Sequence, residues 1–359
     1  ITGFDFSPDW VWTKQRGGAA SHALYDSVRG AGELLRSNET TAEVNVPSRF
    51  ISFDTNGYTI GSDSIENNAS GKSFVAWCWD AGSSNTTISA GGLNSSVYNT
   101  SHAITSNLTN TIPFGSSNSL SNWFNGQSAN KFEPSGSGSI DFSSVSALQN
   151  FSGTLQFAVT AYNPNSAMQF TINASSDHRR FKSPTCPASG VFPSQLITIP
   201  VTSLETLDFV NYSGSSVQFW GMYLDGKLLV DSTATPDNVP SIASTVRANP
   251  TAGFSIISYT GTGSNATIGH GLNAAPEFIV VKDRDNSVNW AAGHNSPTWV
   301  KYFHLNLNLQ QQDSALVWQD TAPTSSVFSV GTSALVNGSG NAFIAYCFAP
   351  VQGYSAFGS

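Results

Sequence analysis

Aromatic side chains next to amides, together with one basic cluster, are the residues of this chain whose types and spacing could bind a ligand. A sugar offers an apolar ring face to an aromatic platform and polar edges to a few placed donors and acceptors. We therefore predict binding of a cell-surface glycan. The predicted site residues are Trp123, Tyr162, Asn163, Asn165, Arg179, Arg180, Trp299 and Tyr302. For each aromatic taken singly, burial in a core is favoured over binding, and a salt-bridged loop is favoured for the arginines, while at least one aromatic site is expected in the chain as a whole.

Motifs for catalysis or metal binding do not emerge from the sequence. The G-x-S-x-G turn of serine hydrolases is absent, and the six histidines lack the spacing of a zinc helix. Asp283-Arg-Asp285-Asn286 lacks the glycine and later glutamate of a calcium loop, so it predicts a solvated turn. We predict no catalytic residue, no metal site and no cofactor. A pair of carboxylates that cleaves glycans, as in a tailspike, is the less favoured alternative.

The charge balance excludes several classes of partner. The 359 residues include 15 Lys and Arg against 23 Asp and Glu, a net charge of −8, and only 11% are charged. Nucleic-acid binding needs clustered cations, so none is expected. Hydrophobic residues make up 39% and aromatics 12%, which argues against disorder. Because no apolar run reaches the ~18 residues of a membrane helix, no membrane span is predicted.

An internal repeat organises the chain. Residues 8–16 return as residues 276–284 at an offset of 268, and residues 68–79 return as residues 337–348 at an offset of 269. Two blocks in the same order at a nearly constant offset indicate a duplicated domain. Within 74–79, alternation places apolar side chains on both faces of a strand, which predicts a strand inside a sandwich or under a covering layer, with Cys78 and Cys347 as small buried hydrophobes.

The predicted fold is all-β, with several β-sandwiches and an internal duplication. The predicted domains are a first copy at 1–82, a β-sandwich insert with its linker at 83–245, and a second copy at 246–359. Insert strands are expected at 154–160, 168–172, 196–201, 216–224 and 227–231. Asp225-Gly226 favours a hairpin turn between the last two. The one helix that the pattern suggests spans about 27–35.

The two copies differ at their starts. The second copy carries residues 253–271 before its Pro276 strand, and these predict two short strands around a Gly-rich turn, expected to form a hairpin. The first copy has no counterpart before Ile1. A sheet edge without this hairpin is a liability. We therefore expect that the polypeptide continues N-terminally, or that this edge receives a strand from a neighbour.

Three segments of the second copy resemble a domain of marine bacteriophage virions. These segments, residues 252–263, 269–282 and 345–358, are similar to a domain that recurs in tail-fibre and other surface proteins of cyanophage-like viruses. Residues 220–232 resemble the terminal hairpin of a sandwich domain found beside it. The resemblance implies a structural or adhesive role at the virion surface, outside the cell, and supplies no catalytic residue.

The partners follow from this resemblance. We expect a homo-oligomer, with a trimer favoured, that assembles with other virion proteins in a tail fibre or similar appendage and contacts a glycan of the host envelope. Stiff domains and several weak sites would then act together through avidity. The alternative is a bacterial extracellular adhesin or filament subunit with a similar domain.

Overall fold

The computed structural model describes the chain outside a set of short segments. The segments left out are residues 62–64, 94–97, 103, 105–107, 111–119, 127–136, 150, 162–166, 174–177, 183–194, 212–216, 233, 235, 237, 297 and 359. The chain divides into two compact units: unit 1 is Ile1–Gly92 with Asn238–Ser359, and unit 2 is Leu93–Asp237. Strands dominate the described part, whose helices are single turns. The predicted all-β class is therefore confirmed.

The first copy forms one antiparallel sheet of unit 1, in the order β4-β3-β2-β1-β7. Two further strands, β5 and β6, pair as a separate hairpin. The strands are β1 (Trp10–Gln15), β2 (Ala23–Asp26), β3 (Gly30–Arg36), β4 (Val44–Asn45), β5 (Phe50–Asp54), β6 (Gly57–Ile60) and β7 (Phe74–Trp79).

The second copy forms most of an eight-stranded sheet, in the order β25-β24-β23-β22-β27-β20-β19-β8. Its strands and the nearby short elements are β8 (Thr86–Ile88), β19 (Ser244–Asn249), β20 (Phe254–Thr260), β21 (Ala266–Gly269), β22 (Phe278–Asp283), β23 (Ala291–His294), β24 (Lys301–His304), β25 (Gln312–Asp313), α2 (Ala315–Trp318), β26 (Val327–Val330), α3 (Ala334–Asn337) and β27 (Ala342–Phe348). Strands β21 and β26 pair with each other outside this sheet.

The sequence repeat is also a structural repeat. At the offset of 268 residues, β1 coincides with β22, β2 with β23 and β4 with β25, while β7 corresponds to β27 at 269. In both copies the equivalent strands pair in the same order and the same antiparallel sense. Each copy is therefore the same sheet built twice.

Both copies belong to a single unit, where the sequence predicted one domain for each. The physical reason is that each sheet offers one apolar face to a shared core. Members of this core are Trp10, Leu24, Leu35 and Ala81 from the first copy with its exit loop, and Phe254, Ile256, Val280, Trp290, Ala292, Ile344 and Tyr346 from the second. The sheets pack face to face, and separating them would expose this surface to water.

The outer face of each sheet, which points away from the shared core, packs against a second hydrophobic core. In the first copy, Val11 and Tyr25 pack against Phe50 and Tyr58 of the β5–β6 hairpin. In the second copy the outer core is larger and includes residues of α2, α3 and the β21–β26 pair. Cys347 is buried there as a free thiol, as predicted, and Cys78 is half-buried in the equivalent position.

Unit 2 is a β-sandwich of two five-stranded sheets, in the orders β10-β11-β16-β13-β14 and β15-β12-β17-β18-β9. Its elements are β9 (Tyr98–His102), β10 (Thr109–Asn110), a 3-10 turn (Leu120–Trp123), β11 (Gly138–Asp141), α1 (Ser146–Gln149), β12 (Gly153–Ala161), β13 (Ala167–Ile172), β14 (His178–Lys182), β15 (Gln195–Val201), β16 (Thr206–Asn211), β17 (Val217–Leu224) and β18 (Lys227–Asp231). All five strands predicted for the insert are confirmed. Positive φ angles at Asp225 and Gly226 confirm the hairpin turn.

Two local expectations were wrong. Residues 30–36 form strand β3, because pairing with β2 and burial of Leu34 and Leu35 override a weak helical pattern. Strands β20 and β21 do not pair with each other: β20 lies between β19 and β27, and β21 pairs with β26. Strand β7 packs on both faces, with Trp79 against the shared core and with Ala76 and Cys78 against the outer core, although it is an edge strand of its sheet and Trp77 is exposed.

Candidate binding site

An aromatic cavity of about 360 Å³ lies in unit 1, between the two repeat sheets. Its walls are almost entirely carbon and come from both copies. The lining residues are Trp10, Trp12, Leu24 and Trp79 of the first copy, and Ala252, Gly253, Phe278, Val280, Trp290, Leu305, Tyr346, Phe348, Ala349, Tyr354, Ser355 and Phe357 of the second. The volume lies at the lower end of the range for small-molecule sites.

Trp10 is the centre of this aromatic wall. Strand alternation turns Trp10 and Trp12 toward the second sheet and Val11 toward the outer core. The Trp10 ring lies 4.7 Å from that of Trp79 and 5.0 Å from that of Tyr346, between centroids. Only 4% of Trp10 is exposed. Its contacts thus join the two copies at the edge of the cavity.

One polar atom in this wall lacks a partner. The Trp12 indole donates to His22 Nδ1 at 2.9 Å, and the Trp290 indole donates to the Arg36 carbonyl at 2.9 Å. The buried Trp10 Nε1 has no hydrogen-bond partner. Leaving a buried donor unsatisfied costs about 1–3 kcal/mol, so an acceptor oxygen that reached it would be favoured.

A buried network of ion pairs contacts the shared core through Tyr346. The Tyr346 hydroxyl donates to Asp26 Oδ2 at 2.8 Å, and Asp26 pairs with Arg29, whose side chain is fully buried. Arg29 also donates to Glu43 at 2.9 Å, and Glu43 accepts from Arg284 of the second copy at 2.6 Å. Burial raises the pKa of Tyr346 well above its ordinary value. The Tyr346 hydroxyl therefore stays protonated and is already engaged.

The C-terminal segment forms the rim of the cavity. Phe357 packs on Phe278 and Phe348 with ring centroids 6.5 and 6.3 Å apart. A tight turn between Val351 and Ser355 carries Tyr354, which lines the cavity yet is largely exposed. Tyr354 therefore marks the mouth. The arrangement suits a ligand with an apolar body and one hydrogen-bond acceptor.

Two of the predicted glycan-binding aromatics are core residues. Trp123 is 1% exposed and packs against Phe157 and Phe219 inside the unit 2 sandwich. Trp299 is 4% exposed and lies edge-on to Trp318, over Gly293, where a Cβ would come within 2.5 Å of the Trp299 ring. Neither ring is accessible to a sugar, so both predictions were wrong. A large apolar surface gains more from burial than from a place in a loop.

The other predicted residues are not brought together by the described structure. Tyr302 is half-buried on β24 and donates to the Gln312 side chain. Arg179 and Arg180 lie on β14, opposite Phe170 and Gln169 of β13. Tyr162, Asn163 and Asn165 lie outside the described residues.

The match to a protein family covers both copies of the repeat. A family model for a domain of unknown function, DUF7483, matches residues 1–121 and 206–359, most of the chain. The chain belongs to the DUF7483 family. The unmatched residues, 122–205, lie within unit 2, so the family match includes all of unit 1. No curated protein matches this DUF7483 chain significantly.

The alternating tryptophans of the sequence are a signal for the cavity. Trp10 and Trp12 alternate on one strand, and Trp77 and Trp79 alternate on the next, so both pairs had to face the same side of a sheet. Of these rings, Trp77 and Trp79 were expected in a core; Trp79 lines the cavity and Trp77 is exposed. What the DUF7483 sequence did not reveal is that the opposing sheet leaves a space beside them.

Other groups singled out in the sequence have structural roles. His270 is fully buried, accepts from the Leu272 amide through Nδ1 and contacts the Thr324 carbonyl through Nε2, and burial lowers its pKa to about 4. Asp283 is buried, not solvated as predicted, and caps the following turn by accepting from the amides of Asp285 and Asn286.

The described residues contain neither a metal-ligand cluster nor a membrane-spanning helix. Within them, no three His, Cys, Asp or Glu side chains are grouped so that they could hold a metal ion. No helix in the described part of this DUF7483 protein has the length and apolarity to cross a membrane.

Proposed function

We propose that this DUF7483 protein is a structural and adhesive component of a phage surface appendage, such as a tail fibre, and contacts the host envelope by binding without turnover. The observation that carries the proposal is the aromatic cavity, whose walls come from both repeat copies. A site built between two sheets that share one core is held rigid before the ligand arrives, and rigidity lowers the entropy lost on attachment.

The chemistry of the cavity favours an apolar ligand over the glycan predicted from the sequence. Sugar hydroxyls that entered would leave water and find almost no partners, which is unfavourable. An acyl chain fits better, because it packs on aromatic carbon, and an acyl carbonyl that reached the buried Trp10 Nε1 would satisfy this donor. We therefore infer that the site takes the acyl part of an envelope lipid.

The resemblance to virion proteins supports the location, and the low charge supports a role that does not depend on ionic attraction. A single cavity of this size binds weakly. Assembly into a trimer would place three cavities on one particle, and the combined attachment would exceed that of any one site.

Cosedimentation with bacterial envelope vesicles tests the adhesive role. Ala252 lines the cavity, and Ala252→Leu adds carbon atoms that fill part of it. We expect the natural sequence to sediment with the vesicles and Ala252→Leu to bind at least about fivefold less. Leu309→Ala, at an exposed leucine outside the lining, is the control and should bind as the natural sequence does. Equal binding of Ala252→Leu would rule out the cavity as the contact.

A second measurement addresses ligand chemistry and location separately. Trp10→Phe keeps a ring but removes the unpaired donor, so titration with methyl octanoate should show weaker binding than for the natural sequence, while binding of octane should change less. Mass spectrometry of purified phage particles that encode the chain should detect it. Its absence from particles would overturn the virion location without affecting the ligand result.

A further inference from the structure

The free edge of β7 stands out among the edges of the two large sheets in unit 1. Strands β4 and β25, at two of the other edges, have two residues each, and β8 has three. Strand β7 has six residues, Phe-Val-Ala-Trp-Cys-Trp, with no charge and no proline. Proteins usually protect long apolar edges from further pairing by shortening, charge or proline. Strand β7 has none of these protections.

The alternation of hydrogen bonds along the β1–β7 ladder identifies the backbone groups of β7 that face the free edge. The Arg16 amide donates to the Ser73 carbonyl at 2.9 Å, in register with the β1–β7 pairing. Because bonded pairs alternate along an antiparallel ladder, Val75, Trp77 and Trp79 bond to β1. The amides and carbonyls of the residues between them, Phe74, Ala76 and Cys78, point to the free edge.

The second copy shows what covers an edge of this kind. The residues of β27 that bond to β22 are the counterparts of the β7 residues that bond to β1, since the Arg284 amide donates to the Ala342 carbonyl at 2.8 Å. The opposite edge of β27 is paired along its whole length with β20, whose residues Ser255, Ile257 and Tyr259 face Cys347, Ala345 and Phe343. The Ala349 amide donates to the Gly253 carbonyl at 2.8 Å and fixes that register. In the described part of the first copy, β7 has β1 as its one strand neighbour.

Exposure of the aromatic side chains follows the same difference. Trp77 and Tyr346 occupy equivalent positions, at the offset of 269 residues. Tyr346 lies opposite Ile256 of β20 and is 1% exposed, whereas Trp77 is 43% exposed. A strand with an aliphatic residue opposite Trp77 would cover this ring in the manner that Ile256 covers Tyr346.

We propose that the free edge of β7 accepts an extended strand from a partner protein, and that this strand resembles β20: uncharged, at least six residues long, and apolar opposite Trp77. The strand runs antiparallel to β7 and bonds to the backbone of Phe74, Ala76 and Cys78. Backbone pairing supplies affinity, and the side chain over Trp77 supplies selectivity. This edge is a site separate from the acyl-binding cavity, and neither proposal rests on the other.

A peptide of residues 250–262 is the probe, because it contains β20 with short flanks. Labelled with a fluorophore, it should bind the full chain and raise the fluorescence anisotropy. N-methylation at Ile257 removes an amide that would bond to Ala76, and we expect at least about tenfold weaker binding. N-methylation at Ile256 is the matched control, because that amide points away from β7; it should change affinity less than about twofold.

Variants of the chain locate the site. Ala76→Pro removes an amide that faces the free edge and should abolish peptide binding, while the bonds to β1 remain. Thermal unfolding checks that Ala76→Pro folds. If it does not fold, Trp77→Lys, which places a charge at the edge, replaces it in the binding test. The proposal is overturned if the unmodified peptide does not bind, if both variants bind it as the natural sequence does, or if the two N-methylated peptides behave alike.

Self-pairing of β7 is the competing occupant, and sedimentation velocity distinguishes it. A monomer–dimer equilibrium that Ala76→Pro abolishes, and that the peptide does not displace, would show that the edge serves a second copy of this chain. That result would overturn the proposal of a partner strand. Displacement of self-association by the peptide would support it.

Discussion

Strands β7 and β27 carry the same pattern in the two copies and have different surroundings. Both place Phe, Ala and Cys on the outer face, and one β-branched aliphatic residue and two aromatic residues toward the shared core. Strand β27 lies in the middle of the eight-stranded sheet, and β7 lies at the edge of the five-stranded sheet. The comparison shows that a repeated pattern determines which side a residue faces. It does not determine how many neighbours the strand has: β27 pairs with β22 and β20, whereas β7 pairs, in the described part of the chain, with β1.

The largest expected effect concerns the first residue of the equivalent strands β1 and β22. Trp10→Ala removes a nearly buried ring from the shared core and should lower the free energy of unfolding by about 3–5 kcal/mol. Phe278, the counterpart of Trp10, is half-buried, so Phe278→Ala should lose less than half as much. Denaturant unfolding of the two variants measures the difference. Equal losses would mean that the two copies contribute equally to the shared core.

The outer cores differ in a titratable group. His270 of the second copy is buried, and burial lowers its pKa to about 4, whereas its counterpart in the first copy is Thr2. Because the unfolded chain takes up a proton near pH 6.5 and the folded chain does not until about pH 4, stability falls as the pH falls through this window. Between pH 7 and 5 the loss attributable to His270 should be about 2 kcal/mol.

The control for this prediction is His270→Gln, which keeps an amide donor near the Thr324 carbonyl and does not titrate. Its free energy of unfolding should depend less on pH across the same window. If the natural sequence and the variant have the same pH dependence, His270 is protonated in the folded protein and the assigned direction of its pKa is wrong.

The arginines that follow the equivalent strands provide a matched pair. Arg284 donates to both carboxylate oxygens of Glu43 in the other copy, whereas its counterpart Arg16 is exposed. Arg284→Ala should cost about 1–3 kcal/mol, since it removes charge-assisted bonds from a mostly buried carboxylate. Arg16→Ala should change stability by less than about 0.5 kcal/mol. Denaturant unfolding of the two variants measures both losses. A large loss of stability in Arg16→Ala would contradict the contrast drawn between the two arginines.

The smallest effect concerns the aromatic position shared by β7 and β27. Tyr346→Phe removes the hydroxyl that donates to Asp26 and should cost about 1 kcal/mol. Trp77→Phe alters an exposed ring and should be nearly neutral in the isolated chain. Thermal unfolding measured for both variants tests this. If a β20-like strand is bound at β7, Trp77→Phe should then become measurably destabilising, which would sharpen the contrast.

The sequence did not distinguish aromatic residues that line the cavity from aromatic residues that are buried in a core. Trp123 and Trp299 looked like binding residues because polar neighbours surround them in the sequence, yet both rings lie in cores. Trp79 was expected in a core, yet its ring lines the cavity, as does that of Trp10. The sequence neighbourhood of an aromatic residue does not reveal which residues oppose it across a sandwich, since those residues belong to other strands and loops of the chain.

The sequence by itself determined the all-β class, the duplication and the strands of the insert, because alternation and turn residues act over a few neighbouring positions. It also located β7 with the faces of its side chains, its repeat counterpart β27, and the strand β22 that follows Pro276. Only the tertiary structure decided that both copies share one core, that Glu43 joins Arg29 to Arg284, and that β7 keeps a free edge beside an aromatic cavity. Such features depend on which distant surfaces meet, and local pattern carries no information about that.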